Sequence, residues 1–315
     1  MNIPLLRLRS WFSLIAITLL LACSDEKLIE LSLANPSTTV IAETNTSVSH
    51  IYTFGFDPRS SPQEDARQYL PFLNYLEQAT GYKFTLRFTH KDSDIVDDIG
   101  TGILDFAAIG ATSYIHALEV HDYPIVPIAR GVNMQGEAEY RSFFVVHPQN
   151  KLSSLSQLKG HSFAFGDKTS TQGHLIPRIV MHQHGISLAQ LSKYDYTGSH
   201  IKCANAVVSG RADVCGMQDT MATHMARQGL LKILFRSGYY PSSGIVANKR
   251  VDKDVIARIQ QALIAFQPMG KHSSNLYNWH KTEMPKGFVS AREEDYLELK
   301  EWMLKLGFLE HPAGS

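Results

Sequence analysis

The order of its hydrophobic patterns constrains this chain most: short strand-like runs alternate with amphipathic stretches from about residue 50 to residue 306. Tyr52, Phe54 and Phe56 recur with period 2, which marks a strand, and Asp57-Pro58 ends it. Ser60-Ser61-Pro62 opens a helix whose apolar face is Tyr69, Phe72, Leu73 and Leu76, and Gly81 stops it. A strand over 84–88, a short helix over 95–99 and a buried strand within 102–110 follow. A second unit repeats the alternation. Residues 140–147 are an apolar run long enough for a strand crossing between lobes, then come a short helix at 155–158 and a strand at 162–165. Helix 175–184, strand 192–196, helix 203–209 and strand 212–216 complete it. Residues 231–247 return the chain to the first unit, and helices near 252–266 and 293–306 finish the body. Such alternation predicts an α/β fold of two lobes, each a mostly parallel sheet flanked by helices. Lobe 1 is expected over 50–140 plus 247–315 and lobe 2 over 141–246.

Composition removes several function classes. Thirty Lys and Arg balance thirty Asp and Glu, where a nucleic-acid binder would carry a basic excess or face. An apolar content of 44% is too high for a disordered chain. The amino terminus has a targeting pattern: Arg7 and Arg9, then an apolar run over 11–22, then Cys23. That run falls short of the roughly 20 residues needed to span a bilayer, so 1–22 reads as a signal peptide. Leu20-Leu21-Ala22-Cys23 resembles the lipobox of bacterial lipoproteins, which makes Cys23 the lipidation site and places the protein on the periplasmic side of a membrane. Residues 23–49, rich in Ser, Thr, Asn and Glu, read as a flexible tether. Cleavage removes two Arg and no acid, leaving a slightly acidic mature chain. Local donors, not net charge, must then hold any anion.

Three strand-to-helix junctions carry small hydroxyl or donor residues: Gly110-Ala111-Thr112-Ser113-Tyr114, the stretch from Gly166 to His174, and Thr197-Gly198-Ser199-His200. In open α/β sheets ligands bind outside the carboxyl ends of the strands. Helix N-termini there offer unpaired amides and a dipole favourable to anions. An oxyanion shared between such loops could receive several hydrogen bonds without a basic chain.

In order along the chain, Phe54-Gly55-Phe56-Asp57-Pro58, Gly102-x-x-Asp105-Phe106-Ala107-x-x-Gly110-x-x-Ser113-Tyr114, Thr169-Ser170-Thr171-Gln172-Gly173-x-x-x-Pro177 and Gly198-Ser199-His200 followed by Ala206-Val207-x-x-Gly210-x-Ala212-Asp213 resemble the periplasmic binding proteins of phosphonate, phosphite and phosphate ABC importers. The resemblance covers roughly 50–305 and implies a type II binding-protein fold. It also implies a small oxyanion ligand, an ABC permease and ATPase as partners, a monomeric protein, no cofactor and no catalysis. That family's Ser-Thr-Ser-Gly turn corresponds to Ser170, Thr171, Gln172 and Gly173, its Tyr at the start of the helix after the Gly-Asp strand to Tyr114 beside Ser113, and its ligand-facing His to His200. Gln172 departs from the pattern, exchanging a compact hydroxyl for a longer amide. The aromatic residue common after the second strand is missing, with Asp92 or Ser93 near its place, and an acidic residue used by some relatives falls near Asp219 or Thr220.

Other functions have weaker footing. His182 and His184, two apart on a helix, face different directions and make a poor metal pair, and no metal site is expected. No Gly-x-Ser-x-Gly elbow, P-loop or Cys-x-x-Cys is present, and spacing alone does not make Ser170, His200 and Asp219 a hydrolase triad. A lipoprotein that senses ligand for a signalling partner is the main alternative to transport. With Cys23 acylated, Cys203 and Cys215 remain as an even pair, and the spacing is compatible with either a disulfide or two thiols.

Overall fold

The computed structural model describes residues 50–56, 62–89 and 93–309. The expected signal peptide, Cys23, the expected tether and Asp92 lie outside the described residues. In chain order the elements are β1 (Ile51–Phe56), α1 (Pro62–Thr80), β2 (Lys83–Arg87), α2 (Ile95–Thr101), β3 (Phe106–Ile109), α3 (Ala111–Glu119) and β4 (Ile125–Gly131). Next come β5 (Glu139–Tyr140), β6 (Ser142–Val146), β7 (Ser162–Phe165), α4 (Ile176–Gln183), β8 (Lys193–Tyr196), α5 (His200–Val208), β9 (Val214–Gln218) and α6 (Asp219–Arg227). The chain closes with β10 (Lys232–Arg236), β11 (Tyr240–Pro241), β12 (Gly244–Asn248), α7 (Lys253–Ala265), β13 (Phe288–Ser290) and α8 (Leu297–Lys305).

Two helix-flanked sheets result, as the alternation predicts, but both are mixed rather than mostly parallel. The first runs β13-β4-β12-β3-β1-β2 and the second β10-β6-β9-β7-β8. Pairings among β1, β2 and β3, and among β7, β8 and β9, are parallel; β12 enters the first sheet antiparallel between β3 and β4, and β6 lies antiparallel to β9 and β10. β6 and β12 are the strands with which the chain enters each sheet after crossing, and β13 adds a further antiparallel pairing with β4 at the edge of the first sheet. Residues 140–147 form no single crossing strand. Arg141 divides them into β5 and β6, and β5 pairs with β11 in a ribbon that ties the two crossings together. The boundary expected at 246/247 falls inside β12, so the chain rejoins the first sheet between β10 and β12.

Both sheets use one locking device. Asp105, just before β3, accepts from Thr53 N at 2.7 Å and Thr53 Oγ1 at 2.9 Å, while Thr53 Oγ1 accepts from Asp105 N at 3.0 Å. Asp213, just before β9, does the same with Ser162, at 2.8, 2.7 and 2.9 Å. The glycines that precede these acids, Gly102 and Gly210, have φ of +82° and +72°, the left-handed region that a side chain disfavours. The Gly-and-Asp motifs thus fix strand register and stand away from the cleft lining.

Three apolar clusters fill the body. Phe54, Phe56, Phe72, Phe266, Trp279 and Phe288 dominate the one between the first sheet, α1 and α7. Another surrounds the disulfide that joins Cys203 on α5 to Cys215 on β9, with Cα atoms 5.7 Å apart. A third runs through both halves, because Tyr296, just before α8, packs on Tyr114 of α3, and Trp302 of α8 packs on His182 of α4.

Candidate functional site

A cleft of about 700 Å³ separates the carboxyl ends of the two sheets' parallel strands. On the second-sheet wall, Asp167, Thr169, Ser170, Thr171 and Gln172 follow β7, Gly198, Ser199, His200 and Ile201 follow β8, and Gln218 ends β9. Facing them are Glu64, Gln68 and Tyr69 of α1, Ser93 and Asp94 before α2, Gly110 and Ser113 around the start of α3, and Asn278 with Lys281 to Met284. The starts of α3, α5, α6 and the turn leading into α4 all meet here. Unpaired amides and the positive ends of helix dipoles therefore converge on one space.

The hydroxyls are organised by backbone. Ser170 Oγ accepts from Gly173 N at 2.9 Å, capping a π-helical turn over Thr171–Leu175 that runs straight into α4. Ser199 Oγ accepts from Lys202 N at 3.3 Å and caps α5. An accepting hydroxyl still has its own hydrogen to give, so both residues can cap and donate to a ligand together. Gly173 permits the close approach: a Cβ there would meet Ser170 Oγ at 2.9 Å, Gly166 Cα at 3.1 Å and His200 Cε1 at 3.1 Å.

Thr171 has a further partner. α3 begins at Gly110 with no side-chain cap, and Thr171 Oγ1, from the opposite wall, accepts from Thr112 N at 2.9 Å and from Thr112 Oγ1 at 2.9 Å. The second-sheet half thus supplies the cap that α3 lacks. Gln218 Nε2 to Glu283 Oε1, 3.2 Å, is another hydrogen bond across the cleft.

Behind this wall Gln172 Nε2 donates to the Arg141 carbonyl at 2.9 Å and to Asp219 Oδ1 at 3.3 Å. Asp219 also accepts from Thr220 N at 2.8 Å. Burial raises its carboxyl above the ordinary range, against the opposing pull of these donors. His174 is an unforeseen support. Its Nδ1 lies 2.8 Å from the Lys168 carbonyl, which can only accept, so Nδ1 carries the hydrogen and Nε2 accepts from Tyr196 Oη at 3.0 Å. Burial pushes its pKa down to about 4, keeping the ring neutral and the loop pinned.

Of the residues expected in the site, Ser113, Ser170, Thr171, Gln172 and His200 line the cleft, with Gly173 directly behind Ser170 and His200. Asp219 stands behind Gln172 instead of on the surface. Tyr114 is elsewhere. One residue along a helix from Ser113 means about 100° of rotation, and its ring packs at a tilt against Tyr296 in a separate hollow between α3 and α8. Gln218, Lys281 and Glu283 also line the cleft. Gln218 was within reach of the strand-end rule; Lys281 and Glu283 sit in an irregular stretch with no periodicity to signal them. Among the described residues no group of three His, Cys, Asp or Glu could hold a metal ion, and no helix is long and apolar enough to cross a membrane.

Comparison with known proteins gives a consistent picture. A family model described as ABC transporter, phosphonate, periplasmic substrate-binding protein matches residues 54–296. The probable ABC transporter phosphite binding protein of Prochlorococcus marinus is 28% identical over 167 residues, half of this chain and 49% of that one. The phosphate-import protein of Mycolicibacterium smegmatis is 24% identical over 64% of this chain and 68% of its own length. The solved structure of the Prochlorococcus marinus protein PhnD1 with methylphosphonate superposes with a TM-score of 0.71 at 20% identity, covering 82% of this chain and 98% of that one. That likeness is one of fold. The chain spans about half the length of the first of these relatives.

Proposed function

The chain belongs to the periplasmic substrate-binding proteins of phosphonate ABC transporters, and from that premise we propose that it captures a small phosphorus oxyanion, a phosphonate, phosphite or phosphate, in the cleft for delivery to its permease. The convergence of four helix starts and the Ser170, Thr171 and Ser199 hydroxyls on one space carries this reading. Oriented amides and O–H groups hold an oxyanion at nearly no cost of reorganisation, which a slightly acidic chain requires. Ser170, Thr171 and His200 grip the anion, and Ser113 meets it from the opposite wall. Closure turns about the segments between β4 and β6 and between β10 and β12, which divide lobe 1 from lobe 2. The protein works as a monomer held to the membrane through Cys23 and its tether, and it binds without transforming its ligand. Calorimetric titration of ligand-stripped protein with phosphate, phosphite, methylphosphonate and 2-aminoethylphosphonate tests the assignment. Binding of at least one is expected, and no heat with any of the four would sink it.

A further inference from the structure

The Gln172 amide is oriented by its surroundings. Its side chain lies 3% exposed on the cleft wall. Both groups within hydrogen-bond reach of its nitrogen, the Arg141 carbonyl and Asp219 Oδ1, are acceptors. Only the NH₂ end can satisfy them, and a flipped amide would set oxygen against two oxygens. Both amide hydrogens are thereby spent behind the wall. The oxygen, Oε1, receives no hydrogen bond from any described residue.

This end of the cradle therefore presents an acceptor among donors. A bare anionic oxygen placed against it would be repelled, whereas a protonated one would donate. We infer that Gln172 selects tetrahedral oxyanions that carry a P–OH, the singly protonated phosphonate or phosphate, over anions of the same shape and charge that have no hydrogen to give, such as sulfonates and phosphonate monoesters. The inference rests on the capture reading above and specifies which chemical form is captured. A site built to pair one hydroxyl discriminates strongly against analogues lacking it, because its own polar group is left unpaired.

The test compares methylphosphonate, its monomethyl ester and methanesulfonate by calorimetric titration of ligand-stripped protein, below the second ionisation of methylphosphonate, where all three are monoanions. Methylphosphonate is expected to bind on the order of 100-fold tighter than either analogue. As pH rises, affinity for methylphosphonate and for phosphite should each fall with a midpoint that follows the ligand's own second ionisation. Titration of the surrounding groups, Asp219 behind the amide, His200 and Asp167 on the same wall, and Glu64, Lys281 and Glu283 opposite, would move the midpoint equally for both ligands. In Gln172→Ser, which puts a hydroxyl at this position, the ratio between methylphosphonate and methanesulfonate should narrow below tenfold, with folding checked by circular dichroism. Methanesulfonate binding within threefold of methylphosphonate in the unmodified protein, or a midpoint common to both phosphorus ligands, overturns the inference. If no phosphorus ligand binds at all, the capture reading fails first.

Discussion

The two walls of the cleft are built on different principles. On the second-sheet side the Ser170 and Ser199 hydroxyls are tied into backbone within their own loops, beside Asp167, whose Oδ1 accepts from Thr169 N and Oγ1. On the first-sheet side stand side chains with full charges, Glu64, Asp94, Lys281 and Glu283, on α1 and in irregular segments. Fixed dipoles grip an oxyanion in a geometry-dependent way, whereas the carboxylates of the other wall repel it. On our proposal the difference gives recognition to one wall and closure to the other. Closure then depends on individual hydrogen bonds between the halves, such as Thr112 to Thr171 and Gln218 to Glu283, rather than on charge attraction.

The strongest challenge to that division is Gly173→Ala. Its Cβ has Gly166 Cα at 3.1 Å and His200 Cε1 at 3.1 Å to displace, so ligand affinity should fall at least 100-fold while the fold survives, as titration and circular dichroism would show. An affinity within threefold of the unmodified protein would mean that the recognition wall is not where we place it. Acid probes the support of the same wall. An unfolded His takes its proton near 6.5 and folded His174 resists to about 4. Unfolding therefore binds protons in this window, and the stability supplied by the neutral ring is complete above it and lost as pH falls through it. Urea unfolding should show a loss on the order of 3 kcal/mol between pH 7 and pH 4 from this group, with a shallower slope in His174→Gln. Thr171→Val keeps the shape and removes the cap on α3; about 1 kcal/mol, hence five- to tenfold in affinity, should be lost mainly through faster ligand release. Lys281→Ala, on the charged wall, should change affinity less than threefold at moderate salt. A larger loss there than in Thr171→Val would reverse the roles of the two walls.

The parts of this architecture legible in sequence were those with short-range causes. Period-2 aromatics mark β1, and Pro62 and Gly81 bracket α1, because strand pleat and helix ends are local events. β4 escaped notice since Pro127 interrupts its apolar run. The mixed strand order escaped too, because pairing partners are set by packing between distant segments. Thr53 with Asp105 and Ser162 with Asp213 make a structural repeat that alternation alone did not disclose. In the site, hydroxyls at helix starts were readable from Ser170, Thr171 and Ser199. The facing of Tyr114 toward α8 depends on a single step of helix rotation, and the Gln172 orientation depends on a carbonyl 31 residues away.

Completion of α3 by a residue from the far side of the cleft makes one amide a clock. When the halves part, Thr112 N–H loses Thr171 Oγ1 and meets water. Its hydrogen-exchange rate then counts openings directly, and ligand should slow it in proportion to the time the protein spends shut.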